Sequence, residues 1–264
     1  MSLERIVRQV RNPGDIIRRS IRAMSCALFV RSYWRDLDWL ALSLASVARF
    51  CHGFDDIVVV IPRRSEPWLR RVSLPHVARI EFCRDYRDDY LGQQATKLHA
   101  DLFTDAQFIC HVDSDCVFTR DVRPDDLIPD GNPLIRMRGI EQLGRERPWQ
   151  KPTELFLGSQ VEFDFMCHPP FTFPRWLYAH VREHARTVHG ADLETYLERQ
   201  PPRGFSEFNV LGALAWMRWR SSFTWIDGVE DVADLPCRWY WSWDRVDSGT
   251  RRESEAIIEA STGG

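Results

Sequence analysis

Apolar residues in this chain come in short dense runs, separated by longer stretches in which they recur every three or four positions. Cys26-Ala27-Leu28-Phe29-Val30 is such a run and predicts a buried strand. Leu37, Leu40, Leu44 and Val47 then mark one face of a helix reaching about Phe50. Ile57 to Ile61 is an unbroken run of β-branched residues closed by Pro62, the pattern of an interior strand. A weaker strand is expected near Val77 to Phe82, a helix from Gln93 to Phe103, and a strand over Phe108-Ile109-Cys110-His111-Val112. Strand, helix, strand, strand, helix, strand at these spacings predicts an α/β fold, a mainly parallel sheet with helices on its faces.

The second half is less regular. Ile135-Arg136-Met137 suits a strand, and Pro174 to Val188 suits a helix with proline near its first turn. Phe205-Ser206-Glu207-Phe208-Asn209 opens another helix, with Ser206 as its N-cap. The expected organisation is a basic N-terminal segment, residues 1–24, followed by one domain over residues 25–264. That domain divides into a first half to about residue 138 and an elaborated second half from 139.

Composition narrows the functional classes. The 264 residues carry a formal charge of -3, which gives no general affinity for nucleic acid. No stretch has the apolar length of a membrane span. Seven cysteines without a C-x-x-C pair fit reduced thiols in a cytoplasmic protein. The first 24 residues differ: Arg5, Arg8, Arg11, Arg18, Arg19 and Arg22 outweigh Glu4 and Asp15, and apolar residues recur there at helical spacing. Such a segment can lie on the inner, anionic face of a membrane or dock a membrane-bound partner, and it equally suits an ordinary surface helix.

The candidate chemistry starts at Asp113-Ser114-Asp115, where the last apolar strand of the first half runs out. Alternation would aim Asp113 and Asp115 the same way. Carboxylates this close repel unless a proton or cation compensates, and Mg²⁺ or Mn²⁺ held by one or two carboxylates plus phosphate oxygens is the usual compensation. Lys97 can neutralise phosphate oxygens as a point charge, Tyr33 can stack on a base, and Glu207 at a helix start suits a general base. His168, in the proline-pinned Cys167-His168-Pro169-Pro170, could face an acceptor or a phosphate. The tryptophans that crowd the last fifty residues suit either core packing or sugar stacking.

Gly92-Gln93-Gln94-Ala95-Thr96-Lys97-Leu98 followed by Phe108 to Phe118, with its Asp-x-Asp, resembles GT-A-fold nucleotide-sugar glycosyltransferases of the bacterial polysaccharide type. The resemblance covers roughly Cys26 to Gly212 in the order of its parts, and only the Asp-x-Asp segment is specific. It implies a Rossmann-like GT-A fold and sugar transfer from a UDP- or GDP-linked donor to a glycan or lipid-linked acceptor in surface polysaccharide synthesis. Asp113 and Asp115 would hold Mn²⁺ or Mg²⁺. Arg31, Ser32, Tyr33 and Asp36 match the loop that holds the nucleoside, Lys97 the basic residue near nucleotide or sugar, and Glu207 the acidic segment facing the acceptor. If Glu207 is the base, a single displacement inverts the anomeric centre. The family commonly adds a His ligand near the C-terminus, but the last histidine here is His189, which leaves Asp227, Asp244 or water for that role.

Three other readings compete. Asp113-x-Asp115-x-Val117 matches the start of the haloacid-dehalogenase phosphatase signature, although that motif usually sits on the first strand of its domain. His180-Val181-Arg182-Glu183-His184 is a literal H-x-x-E-H, whose histidines share a helix face as zinc ligands do. A degenerate transferase-like subunit that only scaffolds a polysaccharide complex is the third.

Overall fold

The computed structural model describes residues 24–228, 235–240 and 246–260. The expected helices of the N-terminal segment, together with Trp241, Trp243 and Asp244, lie outside the described residues. In chain order the elements are β1 (Cys26–Arg31), α1 (Leu37–Phe50), β2 (Asp56–Pro62), α2 (Glu66–Leu69), β3 (Arg79–Cys83) and α3 (Asp89–Lys97). There follow β4 (Phe108–Asp113), β5 (Cys116–Phe118), α4 (Pro124–Leu127), β6 (Leu134–Gly139), α5 (Gln150–Leu157), β7 (Phe163–Asp164) and β8 (Phe171–Pro174). The last are α6 (Trp176–His189), α7 (Leu193–Glu198), α8 (Glu207–Trp219), β9 (Thr224–Asp227), β10 (Cys237–Trp239) and α9 (Ser248–Ala260).

The central sheet runs β3-β2-β1-β4-β8. Its first four strands are mutually parallel, and β8 joins antiparallel to β4. A parallel sheet needs both faces covered, and side-chain alternation divides β1 and β4 accordingly. Leu28, Val30, Cys110 and Val112 pack with α1 residues such as Leu40, Leu44 and Val47 on one face. Phe29 and Ile109 face the opposite core, with Leu98, Leu177, Tyr178 and Phe208. That second core draws on both halves of the chain, and β8, from the second half, completes the sheet.

Several expected boundaries move for identifiable reasons. The helix expected over Gln93 to Phe103 starts at Asp89, because the Asp88 carboxylate caps it by accepting from the backbone N–H groups of Tyr90 and Leu91. It stops at Lys97, and a 3-10 turn follows over Ala100–Leu102. There Arg182 donates to the Leu98 carbonyl at 2.9 Å and Arg175 to that of Asp101, so side chains take up carbonyls that a longer helix would have bonded. Pro174 ends β8 rather than opening α6. Ser206 does occupy the N-cap of α8, but makes no cap bond; its hydroxyl accepts from the Asn209 side chain at 3.1 Å.

Chain order fixes where a ligand belongs. After β1 the chain moves outward to β2 and β3, then returns to place β4 on the other side of β1. The order reverses between β1 and β4, and a crevice opens beyond the carboxyl ends of strands at such a point. Arg31 and Asp113, the last residues of these two strands, are register partners there.

Candidate functional site

Asp113 ends β4 on the face that also carries His111 and Ile109, and Ser114 and Asp115 form the turn into β5. Strand alternation therefore delivers Asp113 alone, and Asp115 is aimed by the turn. The Tyr240 backbone N–H holds that turn by donating to the Asp115 carbonyl at 3.1 Å. Both carboxylates nonetheless act on one neighbour. Asp36, in the loop after β1, has its pKa pushed up to about 7, first by burial, then by Asp115, with Asp113 adding and Arg31 opposing. Three acidic side chains, Asp36, Asp113 and Asp115, thus lie close enough to interact where β1 and β4 end.

The sign of that effect gives a test. Asp36 ionises near 3.8 when unperturbed, so the folded protein retains its proton from about pH 4 to about pH 7, and the stability contributed by this carboxyl falls as pH rises through that window. Asp36→Asn is expected to stabilise the metal-free protein at pH 8 by about 2–4 kcal/mol, an advantage that vanishes near pH 4. Thermal melts of both proteins at the two pH values check this, and an equal difference at both would show that Asp36 is not held protonated.

Lys97, the last residue of α3, closes the inner side. Its ammonium donates to Asp113 Oδ1 at 2.5 Å and to Glu207 Oε1 at 2.8 Å, and lies 4.7 Å from the Phe208 ring centroid. Burial works to remove its proton, but the charges of Asp113 and Glu207 more than reverse this, and the pKa rises above the ordinary lysine value. Glu207, the first residue of α8, is only 2% exposed, and its Oε2 has no hydrogen-bond partner among the described residues. The helix comes this close because Gly212, one and a half turns on, lets Phe165 lie against it; a Cβ there would stand 2.3 Å from that ring. Behind the cluster, burial and Lys97 keep His111 neutral, with Nε2 2.6 Å from the Tyr178 hydroxyl.

Arg31 ends β1 beside Asp113, its register partner on β4. Its side chain is buried and pairs with Asp89 at 3.6 Å, and among the described residues Nε and Nη2 have no hydrogen-bond partner. Burial lowers its pKa, the direction expected of a guanidinium whose charge is under-compensated. A buried guanidinium can donate to a phosphate oxygen, and carboxylates placed close together can hold a divalent cation. Among the described residues no group of three or more His, Cys, Asp or Glu side chains is arranged to hold a metal ion. A cage built from protein side chains alone is therefore not present among the described residues.

Residues 23–223 match a family of unknown function, DUF6492. The chain belongs to this family. No curated protein matches it. The DUF6492 match runs from the residues just before β1 to the end of α8 and beyond, so it spans Arg31, Asp36, Lys97, Asp113, Asp115 and Glu207.

Within this DUF6492 region the structure gathers some expected site residues and disperses others. Ser32 is buried beside Arg31, its backbone N–H donating to Val60, and Tyr33 is half-buried with its edge toward Trp34. His168 lies on the β10 side, its ring 6.3 Å from that of Trp239, whose Cα pairs with Cys116 next to Asp115. His168 Nδ1 is 2.6 Å from the Pro169 carbonyl; a carbonyl only accepts, so that nitrogen carries the proton. His189 bonds the Phe156 carbonyl in the opposite core, and Asp227 is exposed on β9.

The H-x-x-E-H segment lies on α6, but not as a zinc site. His184 has Nε2 3.0 Å from the Phe156 carbonyl and Nδ1 3.3 Å from Arg218, which engages both ring nitrogens, while Glu183 pairs with Arg186. Asp113 ends the fourth strand in chain order, not the first, at odds with the usual dehalogenase placement.

Tyr90 is the site residue the sequence did not reveal. Burial and then Glu207 push its hydroxyl pKa up, with Lys97 and Arg203 opposing, and its ring stacks at 19° on Trp149, 6.5 Å away. The signal available in sequence was the Asp88-Asp89-Tyr90 start of the Lys97 helix: α3 carries Asp89, paired with Arg31, at one end and Lys97, paired with Asp113, at the other.

Proposed function

We propose that this protein is a GT-A-like, metal-dependent glycosyltransferase that moves a sugar from a nucleoside diphosphate sugar to a hydroxyl of a glycan or lipid-linked acceptor in surface polysaccharide synthesis. One observation carries the reading: at the strand-order reversal, Asp113 and Asp115 crowd Asp36 on one side while the buried Arg31 holds unused donors on the other. A divalent cation and a diphosphate would satisfy both halves of that imbalance at once.

In this reading Asp115, with Asp113, holds Mn²⁺ or Mg²⁺, which when bound neutralises charge on the departing diphosphate. Arg31 takes a phosphate oxygen, and Ser32, Tyr33 and Asp36 border the nucleoside. Lys97 keeps Asp113 in place and adds positive charge near the leaving group. Glu207 anchors Lys97 through Oε1, and its unpartnered Oε2 is the atom that would receive the acceptor proton, giving inversion. Fixing donor and acceptor side by side supplies the positional part of the rate.

Thermal-shift screening of UDP-, GDP- and CMP-sugars with and without Mn²⁺ tests the donor site. A ligand at about a hundred times its Kd adds about 2.7 kcal/mol, on the order of 5–10 °C for a chain of this size. The shift is expected with one nucleotide and only when Mn²⁺ is present. No shift with any donor would remove the reading.

A further inference from the structure

Beside the crevice, on the loops that follow β1 and β2, two indoles lie face to face among arginines. Trp34 and Trp68 stack with centroids 5.0 Å apart and planes at 28°. The Trp34 N–H of the backbone donates to Ser65 Oγ at 3.1 Å, tying the two loops together. The Arg35 guanidinium lies 4.8 Å from the Trp34 ring and that of Arg71 4.2 Å from the Trp68 ring. Arg63 and Arg70 are exposed on either side of α2, in which Glu66 is the one acidic residue and Trp68 is 37% exposed. Arg64, also exposed, pairs with Asp89.

We propose that this face docks the protein on an anionic phospholipid bilayer, with the indole edges in the headgroup layer and Arg35, Arg63, Arg70 and Arg71 on lipid phosphates. Indoles favour the membrane interface because one edge is apolar and the N–H finds a polar partner. Basic residues near an anionic leaflet add to binding roughly independently. A nucleic acid would need open ring faces for its bases. Here Trp34 and Trp68 cover each other and guanidinium groups lie over them, while the chain as a whole carries -3. The patch begins three residues after Arg31, so docking would bring the mouth of the crevice to the lipid surface. The inference stands independently of the transferase reading, since it needs only the exposed face.

Flotation of the full chain with phosphatidylcholine vesicles, with and without phosphatidylglycerol, tests it. Binding is expected only to the phosphatidylglycerol vesicles and is expected to fall with added salt. Arg70→Gln with Arg71→Gln should weaken it about 25-fold, about fivefold for each charge. Trp68→Phe should reduce quenching of protein fluorescence by brominated lipid, a readout that a folding defect, checked by thermal melting, would not mimic. Undiminished vesicle binding by the double variant would assign the contact to another surface, the basic residues 1–24 included, and overturn the proposal. Tight binding to single-stranded DNA with none to vesicles would overturn it in favour of a nucleic-acid partner. Donor-induced thermal shifts in the same variants report on the crevice separately, so either inference can fail alone.

Discussion

Lys97→Met is expected to destabilise the protein by about 3–5 kcal/mol, because it leaves buried carboxylates without their counter-charge. Total stabilities of about 5–15 kcal/mol make this one of the largest single effects available to the chain. The loss has a specific origin. Glu207 is buried with one oxygen on Lys97 and the other unpartnered, and Asp113 Oδ1 depends on the same ammonium. Removing half of the stranded charge should therefore restore stability: Lys97→Met with Glu207→Gln is expected to recover about half of the deficit. Urea denaturation of the two variants and of Glu207→Gln alone closes the double-mutant cycle. A double variant no better than Lys97→Met would show that the lysine contributes by packing on Phe208 and not by charge.

That the central sheet is mainly parallel was legible in sequence because buried parallel strands leave continuous apolar runs, and Ile57 to Ile61 and Phe108 to Val112 are such runs. The position of Asp113 at a strand end followed from the same pattern. What lay beyond it was set by tertiary contacts that no local pattern encodes. The early end of α3 depends on Arg182 and Arg175 reaching back across 84 and 74 positions, and Ser206 gave its hydroxyl to Asn209 rather than to a helix N–H. Lys97 and Glu207 were each legible as candidates, yet their ion pair spans 110 positions and makes them one unit instead of two. The H-x-x-E-H segment shows the converse. Its spacing satisfies a zinc pattern, while long-range partners, the Phe156 carbonyl and Arg218, decide what His184 does.

Asp115→Ala is expected to abolish metal-dependent donor turnover, lowering kcat/KM by about a thousandfold or more, about 4 kcal/mol of transition-state stabilisation, while the fold survives. Asp115 is a cleaner probe than Asp113, whose removal would also deprive Lys97 of a partner. The structure supplies a readout that needs no substrate. Burial is the first cause of the raised pKa of Asp36 and Asp115 the largest charge contribution to it, so loss of Asp115 should bring that carboxyl part of the way down from about 7 while burial still holds it above its ordinary value. The variant should accordingly gain stability at neutral pH, and its melting temperature should vary less between pH 4 and pH 8 than that of the parent. The two measurements separate geometry from chemistry. A flattened pH profile with normal donor turnover would leave Asp115 beside Asp36 but remove it from the reaction. An unchanged profile with lost turnover would place it in the reaction through contacts other than those with Asp36. Both changes together are what a carboxylate serving as the principal protein ligand of the diphosphate's cation requires.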